Sequence, residues 1–188
     1  MAVLDFLDVF EMAYRKDPAL RSGIAYLEVI TYPGVQAILL YRLSHALHRI
    51  GIPFVPRAIS YFGRAMTGAE IHPGAKIGKR FFIDHATGVV IGETAEIGDN
   101  VMMFHQVTLG GGGWWKDEKG SKRHPTIEDD VILGVGATIL GPVTIKRGSK
   151  IGAHALIVDD IPEGTTMVSH KGKVLKRKGA QPDRRVGF

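Results

Sequence analysis

Asp84 and His85 stand side by side in this chain, and a second carboxylate, that of Glu70, lies 15 residues before His85. A histidine beside a carboxylate has the chemistry of a general base, because imidazole titrates near neutral pH and a fixed neighbour can orient the ring. A single histidine in a turn is more often only solvated, but acids cluster around this one. The pattern therefore predicts that His85 removes a proton from a substrate. The spacing permits a contact with Glu70 without requiring it.

A second polar group, Arg123-His124, follows a glycine-rich loop that contains Trp114 and Trp115. A guanidinium can bind a carboxylate through two parallel hydrogen bonds, so Arg123 is a candidate for binding an anionic group. The glycines at 110–113 are not followed by the Gly-Lys-Ser or Gly-Lys-Thr of a phosphate-binding loop. The two tryptophans are candidates for a lid or for a contact between subunits.

Zinc is an alternative use for the histidines, since three of them could hold the metal in a stacked coil. Those at 72, 85, 105 and 124 are 13, 20 and 19 residues apart, with no close pair, so we expect no metal. His72 precedes Pro73 inside a repeat and is interpreted as structural, whereas the role of His105 stays open. A further alternative is a non-catalytic scaffold, in which replacing His85 would leave every activity intact.

The Asp84-His85 pair and the loop before Arg123-His124 interrupt a six-residue repeat of aliphatic side chains. Its regular part is Ile127, Leu133, Ile139, Ile145, Ile151 and Ile157, and its earlier part runs from Ile71 to Leu109, with Phe81 a poor fit and a slip of two residues after Asp84-His85. A period of six is neither the 3.6 of a helix nor the 2 of a half-buried strand. It predicts short strands and turns stacked into roughly four to five triangular coils, each burying its aliphatics against its neighbours.

Before the repeat the apolar residues recur at helical spacing. Asp17-Pro18 and Tyr32-Pro33 are typical helix starts, and Gly51 followed by Pro53 is typical of a helix end. The sequence thus predicts a mainly β protein with an α-helical N-terminal region at 1–66, a β region at 67–168 with a protruding loop at 110–126, and a basic tail at 169–188. We expect the helical and β parts to pack as one unit, because the helical part is small.

Composition limits the possible classes. The chain has 188 residues, 45% of them apolar, which is enough for a core, and no Cys, which excludes a disulfide framework and fits a reducing cytosol. No apolar run approaches the ~18 residues that span a bilayer, and the first ten residues lack the cationic start of a signal peptide. We therefore expect a cytoplasmic protein that does not associate with membranes.

The net charge of +5 resides in the tail. Residues 171–188 carry seven Lys or Arg and one Asp, or +6, so the remaining chain sums to −1. No aromatic residues interleave with these cations before Phe188, so nucleic-acid binding is not expected. This charge fits a solvated tail, and it also fits a tail that attracts the phosphates of a nucleotide-containing ligand.

Five short blocks resemble serine O-acetyltransferases, a branch of the hexapeptide-repeat acyltransferases. They are Glu-Ile-His-Pro-Gly-Ala at 70–75, Asp-His-Ala-Thr-Gly at 84–88, Gly-Glu-Thr at 92–94, Val-Thr-Leu-Gly-Gly at 107–111 and Arg-His-Pro at 123–125. The resemblance covers roughly residues 14–168 and implies a left-handed parallel β-helix in a homotrimer. Only the resemblance supplies the hand, because parallel crossovers are otherwise right-handed in about 98% of cases.

The resemblance implies transfer of the acetyl group of acetyl-CoA to the hydroxyl of L-serine, the first step of cysteine biosynthesis. His85 would deprotonate that hydroxyl and Glu70 would orient His85, although the family more often has Asp at the latter position. The remaining substrate-binding roles fall on Asp17 and Asp84 for the serine amino group, and on Arg123 and His124 of a neighbouring subunit for its carboxylate. Asp17 also fits a simple helix N-cap.

Backbone groups near Gly111, Val135 and Ala153, with Lys150 for a phosphate, are implied to bind acetyl-CoA. Homoserine or a sugar remains an alternative acceptor, because a base and a CoA groove serve any hydroxyl. Longer relatives form hexamers through extra N-terminal helices, and many end in Ile, which inserts into O-acetylserine sulfhydrylase. This chain starts close to Asp17 and ends in Phe188, so we expect a trimer without that complex. Inhibition by cysteine is expected.

Overall fold

The computed structural model describes residues 8–12, 28–113 and 120–170 of the chain. Its first part is helical and consists of residues 8–12, a short 3-10 helix (Val29–Thr31), helix α1 (Pro33–Arg49) and helix α2 (Val55–Thr67). Helix α1 begins at Pro33 and ends just before Gly51, as the sequence predicts. Helix α2 ends at Gly68, whose φ of 75° is a left-handed conformation that favours glycine. The predicted helix start at Asp17-Pro18 lies outside the described residues.

From Glu70 onward the described chain forms short strands. They are β1 (Glu70–Ile71), β2 (Lys76–Ile77), β3 (Phe82–Ile83), β4 (Val90–Ile91), β5 (Glu96–Ile97), β6 (Met102–Met103), β7 (Thr108–Gly110), β8 (Thr126–Ile127), β9 (Ile132–Leu133), β10 (Thr138–Leu140), β11 (Thr144–Ile145), β12 (Lys150–Ile151), β13 (Leu156–Ile157) and β14 (Thr166–Met167).

The strands make three parallel faces. The first face has the order β1-β4-β7-β10-β13, the second β2-β5-β8-β11, and the third β3-β6-β9-β12-β14. The chain therefore passes through the first, second and third face in turn and then repeats, which confirms the predicted stack of coils. No helix among the described residues is long and apolar enough to cross a bilayer.

The inward positions of the repeat form the core of the coil. On the first face Ile71, Ile91, Leu109, Ile139 and Ile157 lie in register, and each is at most 4% exposed. Burying one such side chain stabilises the fold by about 1.5–3 kcal/mol. Because no coil can cover its own inward residues, this stabilisation is available only to the stack.

Two sets of turns carry the residues of interest. The slip corner joins the third face to the first and consists of 84–89, 104–107, 134–137 and 152–155. The loop corner joins the first face to the second and consists of 72–75, 92–95, 111–125 and 141–143. In the slip corner, Ile83 and Ile91 are eight residues apart, whereas Leu133 and Ile139 are six apart. The two extra residues are accommodated by positive φ angles at His85 (63°), at residue 86 (54°) and at residue 88 (75°).

The helices pack against the coil through a few close contacts. The Tyr41 hydroxyl donates to the carbonyl of Ala75 (2.6 Å), and the Ser60 hydroxyl donates to the carbonyl of Ile71 (2.7 Å). Gly34, in the first turn of α1, lies so close to β3 that a Cβ there would be 2.0 Å from the carbonyl oxygen of Ile83. The start of α1 is thus held directly beside the slip corner.

Candidate active site

The first segment of the slip corner places His85 beside a cavity. The His85 side chain is 74% exposed, and its Nε2 lies 3.7 Å from Oδ1 of Asp84, which is longer than a hydrogen bond. A cavity of about 280 Å³ is lined by Asp84 and His85 together with Tyr32, Pro33, Gly34 and Ile83. The start of α1 closes one side of this cavity. Asp84, half-buried in its wall, offers a negative charge to a cationic group.

Glu70 is engaged by arginines of helix α2. Arg64 Nη1 donates to Glu70 Oε2 (2.7 Å), and Arg57 Nη2 lies 3.9 Å from Oε1. Among the described residues no hydrogen bond or ion pair joins Glu70 to His85. The orientation of His85 by Glu70 therefore stays a prediction.

The loop corner fixes His124 through Thr94. The Thr94 backbone N–H donates to His124 Nδ1 (3.2 Å), and the Thr94 hydroxyl lies 2.9 Å from the same nitrogen. The backbone N–H groups of Arg123 and His124 donate in turn to Thr94 Oγ1, at 3.0 and 3.1 Å. Because Nδ1 accepts, these hydrogen bonds favour the tautomer of the neutral ring with its proton on Nε2.

Glycine is required beneath the His124 ring. A Cβ at Gly92 would lie 2.0 Å from His124 Nε2, so any larger residue there would displace the ring. Because Gly92 has no side chain, the loop can return to the coil beside it with the His124 ring buried, and His124 is only 9% exposed. The glycine of the Gly-Glu-Thr block therefore acts by making room for the histidine.

Arg123 has a partner that the sequence did not predict. Its Nη2 donates to Glu93 Oε2, and the carboxylate partly neutralises the guanidinium. Arg123 nevertheless has five N–H donors, so it can bind a second carboxylate. Beside it, burial lowers the pKa of Lys122, while the hydrogen bond from Lys76 lowers the pKa of Glu96.

The candidate residues for acetyl-CoA fall into two places. Val135 and Ala153 lie in the slip corner, two and three coils beyond His85, and Lys150 is exposed on β12 just before that corner. Gly111 lies instead in the loop corner. The structure thus aligns Val135 and Ala153 with His85 and places Gly111 at the other edge of the first face.

The predicted site residues form two groups in one chain. Asp84 and His85 occupy the slip corner, Arg123 and His124 occupy the loop corner, and the first face separates the two corners. No hydrogen bond or ion pair joins the groups in the part of the chain that the structure describes. A small ligand in contact with both groups would need them to come from different copies of the chain.

Sequence reasoning missed the roles of two residues, Glu93 and Thr94. They belong to the Gly-Glu-Thr block of the resemblance, but the sequence assigns no contact to them. A long loop separates them from Arg123, so the spacing does not show where Arg123 returns to the coil. Three predicted features, namely Asp17, Trp114-Trp115 and the basic tail from residue 171, lie outside the described residues. Within the described ranges no three His, Asp or Glu side chains are grouped so as to hold a metal ion.

The chain is similar to known proteins in sequence and in structure. Residues 124–159 match the family described as "Bacterial transferase hexapeptide (six repeats)". The serine acetyltransferase of Bacillus licheniformis is 54% identical over 170 residues, which are 90% of this chain and 76% of that protein.

Two solved structures are also similar. Serine acetyltransferase isoform 3 of Entamoeba histolytica, in complex with cysteine, has a TM-score of 0.83 at 37% identity; the match covers 93% of this chain but only 61% of that one. Soybean serine acetyltransferase, complexed with serine, has a TM-score of 0.81 at 39% identity, covering 92% and 68%. The fold is a left-handed parallel β-helix, and the chain belongs to the serine acetyltransferase family.

Proposed function

We propose that this protein transfers the acetyl group of acetyl-CoA to the hydroxyl of L-serine, giving O-acetyl-L-serine and CoA. The observation that carries the proposal is the division of the predicted site between two corners, with a base and an acid beside a cavity at one and an arginine and a histidine at the other. Serine carries one group for each of these features: a hydroxyl, an ammonium and a carboxylate. Its family membership supports the same reaction.

The chemistry assigned to His85 is proton transfer. Its ring takes the proton of the serine hydroxyl as the oxygen attacks the thioester carbon. The carbon–sulfur bond then breaks, and the imidazolium returns the proton to the departing thiolate of CoA. Exposure of His85 at the cavity leaves room for both substrates to reach it.

The substrate-binding roles follow from charge. Asp84, in the cavity wall, would bind the ammonium group of serine. Arg123 would bind the carboxylate bidentately with His124 Nε2–H beside it, both from a neighbouring subunit. A homotrimer of β-helices supplies such a neighbour at each of three equivalent interfaces. Asp17 is proposed as a second partner of the ammonium group.

Acetyl-CoA is proposed to lie along the slip corner, with its arm against backbone groups at Val135 and Ala153 and a phosphate near Lys150. Gly111 would join this groove from the neighbouring subunit, as is proposed for Arg123 and His124. Cysteine has the size and charges of serine, so we propose that it competes for the same site. The cysteine-free sequence and the use of acetyl-CoA support a cytoplasmic location.

The test follows CoA release from acetyl-CoA in the presence of L-serine, L-homoserine or sugars, with wild-type protein and His85→Ala. We expect L-serine to give the highest kcat/KM and His85→Ala to lower kcat by about 10²- to 10⁴-fold. Preference for another acceptor would contradict the proposed substrate but not the proposed base. Full activity of His85→Ala would contradict the base.

A further inference from the structure

Glu93 lies in the loop corner, in the turn at 92–95 between β4 and β5. Its Oε2 accepts a hydrogen bond from Nη2 of Arg123, which returns to this turn at the end of the protruding loop. The next residue of the same turn, Thr94, holds the Arg123 main chain, because its hydroxyl oxygen accepts the Arg123 backbone N–H at 3.0 Å. One turn of the coil therefore holds both the main chain and the guanidinium of the arginine.

Glu93 is itself fixed by the preceding coil. A Cβ added at Gly74, in the equivalent turn of that coil, would lie 3.3 Å from both the Cγ and the carbonyl oxygen of Glu93. The stem of the glutamate thus packs directly on the Gly74 turn. The backbone N–H of Ala95 closes the turn at 92–95 by donating to the carbonyl of Gly92 (3.1 Å). The carboxylate therefore projects from a rigid part of the coil, whereas its arginine partner belongs to a long loop.

The ion pair is not needed to anchor the loop. The Arg123 and Glu93 side chains are 29% and 45% exposed, and ion pairs at such exposure contribute little to folding. The main chain at the end of the loop is held without it, since the His124 backbone N–H donates to Thr94 Oγ1 (3.1 Å). The backbone N–H of residue 96 donates in addition to the carbonyl of residue 125 (3.1 Å). Stability of the loop therefore does not explain a carboxylate at position 93.

The orientation of the guanidinium does explain it. An unrestrained arginine binds a carboxylate less tightly, because its long side chain must be ordered when the ligand binds. The hydrogen bond to Glu93 orders the guanidinium in advance and uses one of its five N–H groups. A carboxylate needs only two of the others for bidentate contact. The charge of Glu93 opposes anion binding, but solvent screens this effect at the observed exposure.

We propose that Glu93 is a positioning residue for substrate binding, which holds the Arg123 guanidinium in the orientation that binds the carboxylate of serine. This inference rests on the proposed role of Arg123. Glu93 does not contact serine and takes no part in proton transfer. Its contribution is to the affinity for serine, and the chemical step at His85 is independent of it.

The test compares two substitutions of Glu93. Glu93→Ala removes the acceptor, whereas Glu93→Gln keeps an oxygen that can accept the Arg123 N–H but carries no charge. We expect Glu93→Ala to raise KM for L-serine about 3- to 10-fold, the effect of ordering one long side chain, with kcat and KM for acetyl-CoA within about twofold of wild type. Glu93→Gln should keep KM for L-serine within about twofold. The urea midpoints of both variants should stay close to that of wild type, because the ion pair is exposed.

Two further variants separate orientation of Arg123 from other effects. Glu96→Ala is the matched control, because Glu96 belongs to the same coil and is 42% exposed, but pairs with Lys76 (2.9 Å). It should leave KM for L-serine within about twofold of wild type. In an Arg123→Ala background the added Glu93→Ala substitution should change KM little further, since Glu93 acts only through the arginine.

The possible results are distinguishable. A wild-type or lower KM for L-serine in Glu93→Ala, an equal rise in Glu93→Gln or Glu96→Ala, or an additive effect in the Arg123→Ala background would overturn the role of Glu93. If Arg123→Ala itself has a wild-type KM for L-serine, the proposed carboxylate site is wrong. A raised KM in Arg123→Ala with a wild-type KM in Glu93→Ala would contradict this inference alone.

Discussion

Two impaired variants of this protein, His85→Ala and Arg123→Ala, are expected to restore activity to each other when they assemble together. His85 and Arg123 lie in different corners, separated by the first face, so a site that uses both must draw them from two subunits. We expect His85→Ala to lower kcat by about 10²- to 10⁴-fold. Loss of the charge-assisted contact of Arg123 should cost about 1.5–3 kcal/mol, or about 10- to 100-fold in kcat/KM.

The extent of recovery follows from the symmetry of the proposed trimer. When the two variants are mixed equally and assemble at random, about three quarters of the trimers contain both, and each of these has one intact site among three. The mixture should therefore show about one quarter of wild-type activity, well above either variant alone. The variants are unfolded together in urea, refolded, and assayed for CoA release at a serine concentration near the wild-type KM.

The matched control mixes Arg123→Ala with His124→Ala, whose lesions lie in the same corner. This mixture should show no recovery, because every interface has a defective loop corner. Activity of the first mixture no higher than the mean of its two components would refute the division of the site between subunits. Recovery in both mixtures would show that refolding itself, and not complementation, restores the activity.

Four other substitutions test local features of the structure. Gly34→Ala should destabilise the protein by about 1–3 kcal/mol in urea unfolding, because its Cβ would lie 2.0 Å from a strand carbonyl oxygen. As a control, Gly63→Ala should stabilise helix α2 by about 0.5–1 kcal/mol, because the nearest atom to its added Cβ is 3.5 Å away. Equal effects of the two substitutions would contradict the close packing of α1. Gly92→Ala should displace the His124 ring and raise KM for serine about 10-fold, and an unchanged KM would argue against a role for that ring. Burial, followed by the nearby Arg57 cation, lowers the pKa of His72 below its usual 6.5, so the native state takes up its proton less readily than the unfolded chain. Stability should then be full above about pH 6.5 and decrease as pH falls below it, and a His72→Gln variant should lose less stability between about pH 8 and pH 5.5 in urea titrations.

Much of the fold could be predicted because it is encoded locally. The six-residue period predicts the inward aliphatics, and Ile71, Leu109 and Ile139 are indeed buried in register on one face. The slip of two residues was also visible, and it corresponds to the corner where His85 adopts a positive φ. Each of these features depends on residues close together in the chain, so the spacing alone is informative.

The contacts of the candidate site were less predictable. The resemblance implies that Glu70 orients His85, and this stays a prediction, because spacing along a coil does not reveal which neighbour a long side chain will contact. In the structure Arg64 holds the Glu70 carboxylate. Thr94 binds the His124 ring across 30 residues that include the protruding loop. The length of a loop does not determine where its ends return, so this contact depends on the folded chain.

The sequence by itself determined that this chain forms a stacked coil with a helical N-terminal part, and that Asp84, His85 and Arg123 are its candidate chemical groups. Burial of the repeated aliphatic side chains stabilises the coil whatever residues its corners contain. The repeat therefore does not show which corner residues take part in binding or catalysis. Only the tertiary structure decided that His85 shares a corner with His105 and is separated from Arg123 by a whole face. The reason is geometric. His85 and His105, 20 positions apart, occupy equivalent places in adjacent coils and stack on one another, whereas residues at different corners are separated by a strand face even when they are near in the sequence.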